Sequence, residues 1–478
     1  MIKKVIVTLS IAIFGATGNA QTIFSRTYGA PGTFNEGASA ASTNEKGFML
    51  AGSTGGFGSI NGDVLLIKTD SAGNQLWAKT YGTVYTEKAV ELIKLSDGNY
   101  LIGSITNNAE TGDYQVGLLK IDPDGNEINS QIIGTSSWDL IKGLAEGPDG
   151  SIVVSALSYA PPYPNGGHLI IKLDASGNEL WRTFVSSADN QLAGGVIADN
   201  EGNVITSGGI YDEFYSNHAM VISKFSGNGD LVWQQTFNTS DNDYFTDVCL
   251  GSGNSYIVCG VSETVDSIVI GRIFKYDSTG VVLQSAETLT NLNYNFSDVS
   301  YWPADGSVII GTTFNQIGDY QAILIKFAAD FTYVCSSIGP ETKESRIGNV
   351  LTTDSLLVFC GTSFAFTPGI SSIFIKTAEA LTCNNDANFQ LSVNSISESK
   401  PLLFPNPNAG EFVIRCDPFY TEFKLYDLFG KEIKYKTRKI ENGEVLIHVE
   451  SIPNGIYMLR VFDETLKLAY TFRIHIQN

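Results

Sequence analysis

Positive charge is scarce in this chain of 478 residues: 30 Lys and Arg stand against 50 Asp and Glu, and only 17% of residues are charged. A basic surface for phosphates is missing, so nucleic acid is not an expected partner. Histidine is scarcer still, at four. No HExxH, GxSxG, Walker loop or CxxC occurs, so the commonest hydrolase, nucleotide and thiol-redox chemistries have no local signature. Beyond the first twenty residues no stretch is apolar for long enough to span a bilayer, and long helical periodicity is absent.

What the chain does have is 48 Gly, 21 Tyr and 27 Phe in a composition that is 43% hydrophobic. Such a balance suits a secreted all-β protein. Residues 1–20 read as a signal peptide. "MIKK" is a short basic start, "VIVTLSIAIFGATG" is an apolar stretch, and "GNA" offers small residues before a cut between Ala20 and Gln21. Formal net charge is −20, and loss of Lys3 and Lys4 with the leader takes it to −22. Residues 400–478 hold 11 Lys and Arg against 10 Asp and Glu, so the excess negative charge lies before them. That asymmetry marks two domains.

The longer part is a repeat. "LLIKTDSAGNQLW" at 65–77 returns as "LIIKLDASGNELW" at 169–181. The lysine recurs as Lys68, Lys120, Lys172, Lys224, Lys275, Lys326 and Lys376, with spacings of 52, 52, 52, 51, 51 and 50. A period near fifty indicates a propeller or a solenoid. Each unit reads as four short strands, a to d. Turns such as "SDG" or "GPDG" separate a from b, and "DSAGN", "DPDGN" or "DASGN" separate c from d. Strand c is apolar at consecutive positions, which predicts burial on both faces, as between stacked blades. Unit seven has a poor strand d, "LTCNN", while "TIFSRTYGA" at 22–30 matches "LWAKTYGT" at 76–83. The first mature strand should therefore complete the last blade and close the ring. A parallel solenoid would leave that spare strand without a place. The pattern resembles secreted bacterial β-propeller repeat families over residues 22–385. It is also similar to quinoprotein propellers in Asp70, Gly73 and Trp77 and in Asp174, Gly177 and Trp181. The Asp-to-Gly step is one residue shorter than in quinoproteins, and Trp is replaced in units two, five and six, so no quinone is expected.

Residues 388–400 are polar and Ser-rich, as a linker would be. Residues 401–478 then alternate in short strands with Gly or Asn turns, which predicts a small Ig-like β-sandwich. Three boxes stand out: Pro405, Asn406, Pro407 and Gly410; Tyr426, Asp427, Gly430 and Lys431; Gly455, Tyr457 and Arg460. In content and order they resemble the type A C-terminal sorting domain of the type IX (Por) secretion system of Bacteroidetes. That resemblance implies the secretion machinery as a partner and a destination at the cell surface or outside the cell.

Candidate chemistry is thin. His168 and His218 precede strand c in adjacent units and could share a rim, but two His without a third ligand make a poor zinc site. The repeated Lys could present cations to an anion; packing of each stem between blades, with the ammonium on a nearby Asp or carbonyl, explains it better. "IDPDGNE" and "SDNDY" hint at Ca²⁺, yet DxDG without a following bidentate Glu is usually a turn, so no cofactor is expected. Cys249 and Cys259 lie on strands a and b of one hairpin and could bridge. Cys335 and Cys383 fall near equivalent ends of units six and seven. Cys259 and Cys360 each precede a strand-b Gly, which favours buried free thiols.

The b–c connections carry the functional expectation. "TGGFGSING", "TNNAETGDY", "SYAPPYPNGGH", "IYDEFYSNHA", "SETVDS" and "SFAFTPGIS" differ in length and content, while the c–d turns stay short. In a propeller the b–c and d–a loops share one face, and variation on one face of a rigid repeat marks a binding face. Tyr159, Tyr163, Tyr211, Asp212, Glu213, Phe214 and Tyr215 lie there as candidate glycan or peptide contacts. The sequence thus predicts a seven-bladed β-propeller (21–387) of four-stranded blades that binds a glycan or protein ligand or acts as a scaffold. The alternatives are a glycan-active hydrolase or lyase with carboxylates on the b–c face, and then a calcium- or quinone-dependent dehydrogenase.

Overall fold

Each fifty-residue unit folds into one antiparallel sheet because its hairpins are short and carry their own turn chemistry. The computed structural model describes residues 24–30, 32–56, 62–83, 85–107, 112–212, 216–239, 241–264, 268–288, 293–316, 319–338, 344–353, 356–364, 371–379, 391–394, 402–404, 410–415, 420–427, 431–439, 444–449, 453–463 and 469–476. The leader and the cut between Ala20 and Gln21 lie outside them.

After β1 (Ser25–Tyr28), blade one comprises β2 (Asn35–Ser42), β3 (Phe48–Thr54), β4 (Asp63–Thr69) and β5 (Gln75–Tyr81). Blade two is β6 (Glu87–Lys94), β7 (Tyr100–Asn107), β8 (Tyr114–Ile121) and β9 (Glu127–Ile133). Blade three is β10 (Asp139–Glu146), β11 (Ile152–Ser158), β12 (Gly167–Leu173) and β13 (Glu179–Phe184). Blade four is β14 (Gln191–Ala198), β15 (Val204–Asp212), β16 (Asn217–Phe225) and β17 (Leu231–Phe237). Blade five is β18 (Asn242–Leu250), β19 (Tyr256–Glu263), β20 (Val269–Tyr276) and β21 (Val282–Thr288). Blade six is β22 (Tyr294–Trp302), β23 (Ser307–Gln316), β24 (Asp319–Phe327) and β25 (Tyr333–Ile338). Blade seven is β26 (Glu344–Thr352), β27 (Leu356–Phe364) and β28 (Ser371–Glu379), completed by β1. The first strand of each blade packs beside the first strand of the next, and β2 touches both β6 and β26, so the ring closes.

The turn signature has a direct cause. Asp70 accepts hydrogen bonds from the N–H groups of Ala72 and Asn74, and Gly73 takes a φ of +75°. Asp122 and Asp174 cap their turns the same way, through the residues two and four positions on. The side-chain and backbone bonds from Asn178 hold the Asp174 carboxyl below its usual range. Strand c is buried along nearly its whole length, as its apolar run predicts.

The repeated lysines are structural. The Nζ of Lys68 donates to the Pro123 carbonyl in the next blade at 3.1 Å. Lys172 donates to the carbonyls of Gly202 and Gly227, each at 3.3 Å, and Lys224 to the Asp199 carboxylate at 3.0 Å. The ring of ammonium groups therefore stitches turns together.

A feature invisible in the residue types recurs in strand a. All seven first strands carry a register shift at the same place, between Gly37 and Ser39, Ala89 and Glu91, Ile141 and Gly143, Ala193 and Val196, Phe245 and Asp247, Phe296 and Asp298, and Ile347 and Asn349. An extra residue there bends the strand and increases its twist.

Within the segment read as a linker, β29 (Leu391–Asn394) pairs antiparallel with β21 and makes blade five a five-stranded sheet. Beyond it lie β30 (Leu402–Phe404), β31 (Glu411–Arg415), β32 (Tyr420–Asp427), β33 (Glu432–Ile433), β34 (Lys436–Lys439), β35 (Glu444–His448), β36 (Gly455–Asp463) and β37 (Ala469–Ile476). They form two four-stranded sheets, β30-β31-β35-β34 and β33-β32-β36-β37, which share one core containing Phe412, Leu425, Ile447 and Leu459.

Two cysteine and histidine expectations are corrected. Cys249 and Cys259 are free thiols: the hairpin register sets Cys259 opposite Asp247 and Cys249 opposite Ile257. Cys360 is also free, and Cys335 is disulfide-bonded; Cys383 lies outside the described residues. His168 sits on no rim. It is fully buried, with Nε2 at 2.8 Å from the Ser155 hydroxyl and 3.1 Å from the Thr206 hydroxyl. Both hydroxyls already donate to carbonyls, of Gly194 and Gly195, so Nε2–H must be the donor to them.

Candidate binding site

Among the described residues two concave regions stand out, in the central channel and on the loop face. The channel is lined by the residue that follows each strand-a bulge. Glu91, Asp247, Asp298 and Asn349 project there around a cavity of about 400 Å³. Each accepts from the backbone of the next blade: Glu91 from the Leu144 N–H at 3.2 Å, Asp247 from Val299 at 3.0 Å, Asp298 from Val350 at 3.2 Å and Asn349 from Ala40 at 3.4 Å. The equivalent positions in blades three and four are Gly143 and Gly195, and a Cβ on Gly195 would lie 2.0 Å from the Asp247 Oδ1. These side chains are clamps between blades.

Burial first, and then the charge of Asp247, pushes the Glu91 carboxyl up to about 8. Burial also raises Asp247, and burial with the charges of Asp247 and Glu91 raises Asp298 well above the carboxylate range. Glu91 and Asp298 therefore hold their protons at neutral pH, beside the charge of Asp247. Among the described residues no group of His, Cys, Asp and Glu is arranged to hold a metal ion.

The loop face carries a second depression, of about 530 Å³, lined by Asp113, Ser136, Ser137, Trp138, Leu140 and Tyr159. Three connections build it: the b–c loops of blades two and three and the d–a loop between those blades. Trp138 is 47% exposed. Its indole N–H donates to the Asp113 Oδ1 at 2.9 Å, and the Tyr114 ring stands perpendicular to it at 5.2 Å. The Tyr159 N–H donates to the Trp138 carbonyl at 2.9 Å. The loop under the indole is pinned by four hydrogen bonds. Asp139 accepts from the Thr135 N–H and hydroxyl, the Gln115 amide donates to the Ser137 carbonyl, and the Arg182 guanidinium donates to the Gly134 carbonyl at 2.7 Å. Thr83 with Glu87 and Thr239 with Asp243 repeat the same loop clamp in blades two and five.

The aromatic candidates divide. Tyr159 is half-buried and lines the depression. Tyr163 is corrected to a packing residue: it is 8% exposed, its ring lies 4.2 Å from that of Phe184, and it covers Gly167, where a Cβ would be 2.7 Å from the ring. Tyr211 is half-buried and stands edge-on to His218 at 5.6 Å, while Asp212 accepts from the Asn238 amide at 3.1 Å. Glu213, Phe214 and Tyr215 lie outside the described residues. Sequence reasoning missed Trp138, because it inspected the b–c loops alone. The signal was present: Trp138 falls outside the register of Trp77, Trp181 and Trp233, whose rings pack on Gly125, Gly229 and Gly280 of the next blade.

The sorting boxes have a local logic of their own. Pro405, Asn406, Pro407 and Gly430 lie outside the described residues. Gly410 takes a φ of +90° and accepts from the Val449 N–H at 2.8 Å. Asp427 caps the following turn by accepting from the Lys431 N–H at 2.9 Å. The second and third boxes lie on paired strands, where the Arg460 guanidinium stands 5.7 Å from the Tyr426 ring. The Tyr457 hydroxyl donates to the Pro453 carbonyl at 2.9 Å, just before Gly455.

Comparison with solved structures finds similar folds at low identity. Virginiamycin B lyase of Staphylococcus aureus is 11% identical with a TM-score of 0.45, over 74% of this chain and 99% of that one. The β-propeller domain of the trilobed protease of Pyrococcus furiosus is 13% identical with a TM-score of 0.43, over 74% and 98%. PorZ, a surface component of the type IX secretion system of Porphyromonas gingivalis, is 8% identical with a TM-score of 0.28, over 94% and 82%. No curated protein matches the sequence. No helix among the described residues is long and apolar enough to cross a membrane. Residues 402–475 match the family described as the secretion system C-terminal sorting domain, so this β-propeller chain carries a sorting domain of the type IX (Por) system and with it that system's address, the cell surface or the medium.

Proposed function

We propose that this protein is an exported binding module whose ligand, a glycan or a protein, docks on the loop face of the propeller. The observation that carries this reading is the depression around Trp138, assembled from three loops of two neighbouring blades on a rigid scaffold. Large exposed aromatics at the meeting point of variable loops are features of binding surfaces. A hydrolase or lyase on this face would need carboxylates facing a common substrate. Asp113, Asp189 and Asp212 on this face accept hydrogen bonds from Trp138, Asn165 and Asn238 respectively, which favours binding over catalysis.

The test is a combined array of extracellular glycans and peptides probed with the purified chain from Gln21 onward. Saturable binding without chemical change of the ligand is expected. Turnover of an arrayed polysaccharide, or no binding to any class, would contradict the reading.

A further inference from the structure

From the geometry around Trp138 we infer that the ligand of this depression is a neutral carbohydrate, one pyranose ring of which stacks on the indole. The inference rests on the loop-face binding reading and names its ligand class and its central residue.

Trp138 differs from the other four tryptophans of the chain. The rings of Trp77, Trp181 and Trp233 pack on turn glycines of the next blade, and Trp302 is buried. Trp138 leaves nearly half of its surface in water and yet is held firmly, by Asp113 at its nitrogen, by Tyr114 across it and by the clamped loop 134–139 beneath it. A fixed indole loses little conformational freedom on binding, so contact with it is converted efficiently into affinity.

The surroundings select among ligand classes. An aromatic face carries partial negative charge and attracts the C–H groups on the flat side of a pyranose. A hydrogen bond from the indole N–H places the Asp113 carboxylate beside the ring plane, with the Ser136 and Ser137 side chains on the same rim. Hydroxyl groups around a stacked sugar would meet those partners at its edge. An apolar peptide anchor needs a pocket that closes around it, whereas Leu140 is the one aliphatic side chain among the described residues lining this depression. A cation over the indole would prefer a carboxylate facing the ring rather than one at its edge. Acidic sugars are disfavoured by Asp113 and by the net charge of −20. The volume, about 530 Å³, suits a small-molecule segment rather than a protein surface.

The experiment titrates the chain from Gln21 onward with neutral hexasaccharides of β-1,4-glucan, β-1,4-xylan, β-1,4-mannan, α-1,4-glucan and chitin, followed by tryptophan fluorescence and calorimetry. Oligoarginine and oligoproline peptides serve as competitors of another class. At least one hexasaccharide should bind and shift the emission to shorter wavelength. Trp138→Ala should weaken it at least about tenfold and abolish the shift, a change of about 1.4 kcal/mol or more. Trp138→Phe should retain part of the affinity, and Asp113→Asn should weaken it without abolishing stacking. Melting should be unchanged in Trp138→Phe, which decides the matter if the alanine variant is less stable. Sugar binding that survives both Trp138 variants would overturn the site while leaving loop-face binding intact. Binding of a peptide alone, lost in Trp138→Ala, would overturn the ligand class. No binding of any probe would overturn both.

Discussion

The Tyr28 hydroxyl donates to the Gly73 carbonyl at 2.6 Å, and the Tyr81 hydroxyl donates to the Gly125 carbonyl at the same distance. Tyr81 belongs to the outer strand of blade one and reaches the c–d turn of blade two. Tyr28 does the same from β1 to the c–d turn of blade one. Strand β1 therefore occupies the outer position of blade seven in atomic detail, with Phe24 and Tyr28 buried between blades seven and one.

Removal of residues 22–30 should consequently destabilise the whole ring. Each buried ring contributes on the order of 1.5–3 kcal/mol, and the exposed edge of β28 adds to the loss. Tyr28→Phe alone should cost about 1 kcal/mol, through the Gly73 bond. Thermal melting measures both; a truncated chain that melts like the parent contradicts closure by β1.

The channel predicts a falling stability on the alkaline side. Glu91 has a folded pKa near 8, above its unfolded value, so the stability it contributes is fully present below the unfolded pKa and is lost as pH rises from there through 8. Asp247 and Asp298 face it and shift in the same direction. Urea midpoints should decline as pH rises from neutral through 8, and Glu91→Gln should flatten that decline. His168 acts on the other side: burial lowers it to about 3, so stability falls as pH drops from 6.5 toward 3. A midpoint that rises between pH 7 and 9 contradicts the channel assignment.

Gly195→Ala should destabilise by about 1–3 kcal/mol, since its Cβ would meet the Asp247 carboxylate and the clamp to Val299 must shift. Gly55→Ala, where the nearest atom lies 3.9 Å away, is the control and should change little. Equal melting losses in the two variants would remove the argument for a packed channel.

Cys249, Cys259 and Cys360 are free, and burial raises each thiol, so alkylation should label them only after unfolding. Peptide mapping by mass spectrometry of native and denatured samples checks this. Recovery of a Cys249–Cys259 bridge from unreduced protein would contradict the structure.

The chain lacking residues 401–478 should fold, because the blades have their own cores, and should remain in the periplasm while the full chain reaches the surface or the medium. Cell fractionation decides it. Surface display of the truncated chain would contradict the role of the sorting boxes.

Much of the architecture was legible because the repeat preserves the residues with hydrogen-bonding or steric duties: the strand-c lysine, the capping Asp and the turn Gly. The channel was not legible, because the positions after the bulge are occupied by Ser39, Glu91, Gly143, Gly195, Asp247, Asp298 and Asn349, and what they share is a backbone geometry rather than a residue type. The Cys249–Cys259 expectation failed because the hairpin register sets Cys249 opposite Ile257, two residues short of Cys259. Tyr163 read as a loop aromatic, since nothing local in the sequence reveals that Gly167 leaves room for its ring. Trp138 lay in a d–a loop, and only three-dimensional closure brings that loop beside Asp113 and Tyr159.

The most direct test of ligand binding on the loop face is hydrogen–deuterium exchange of the chain from Gln21 onward, with and without the ligand recovered from the combined array. The account predicts protection of backbone amides at 112–115, 134–140 and 159–166. Protection confined to the channel strands at 87–94 and 242–250, or to residues 402–475, would contradict it.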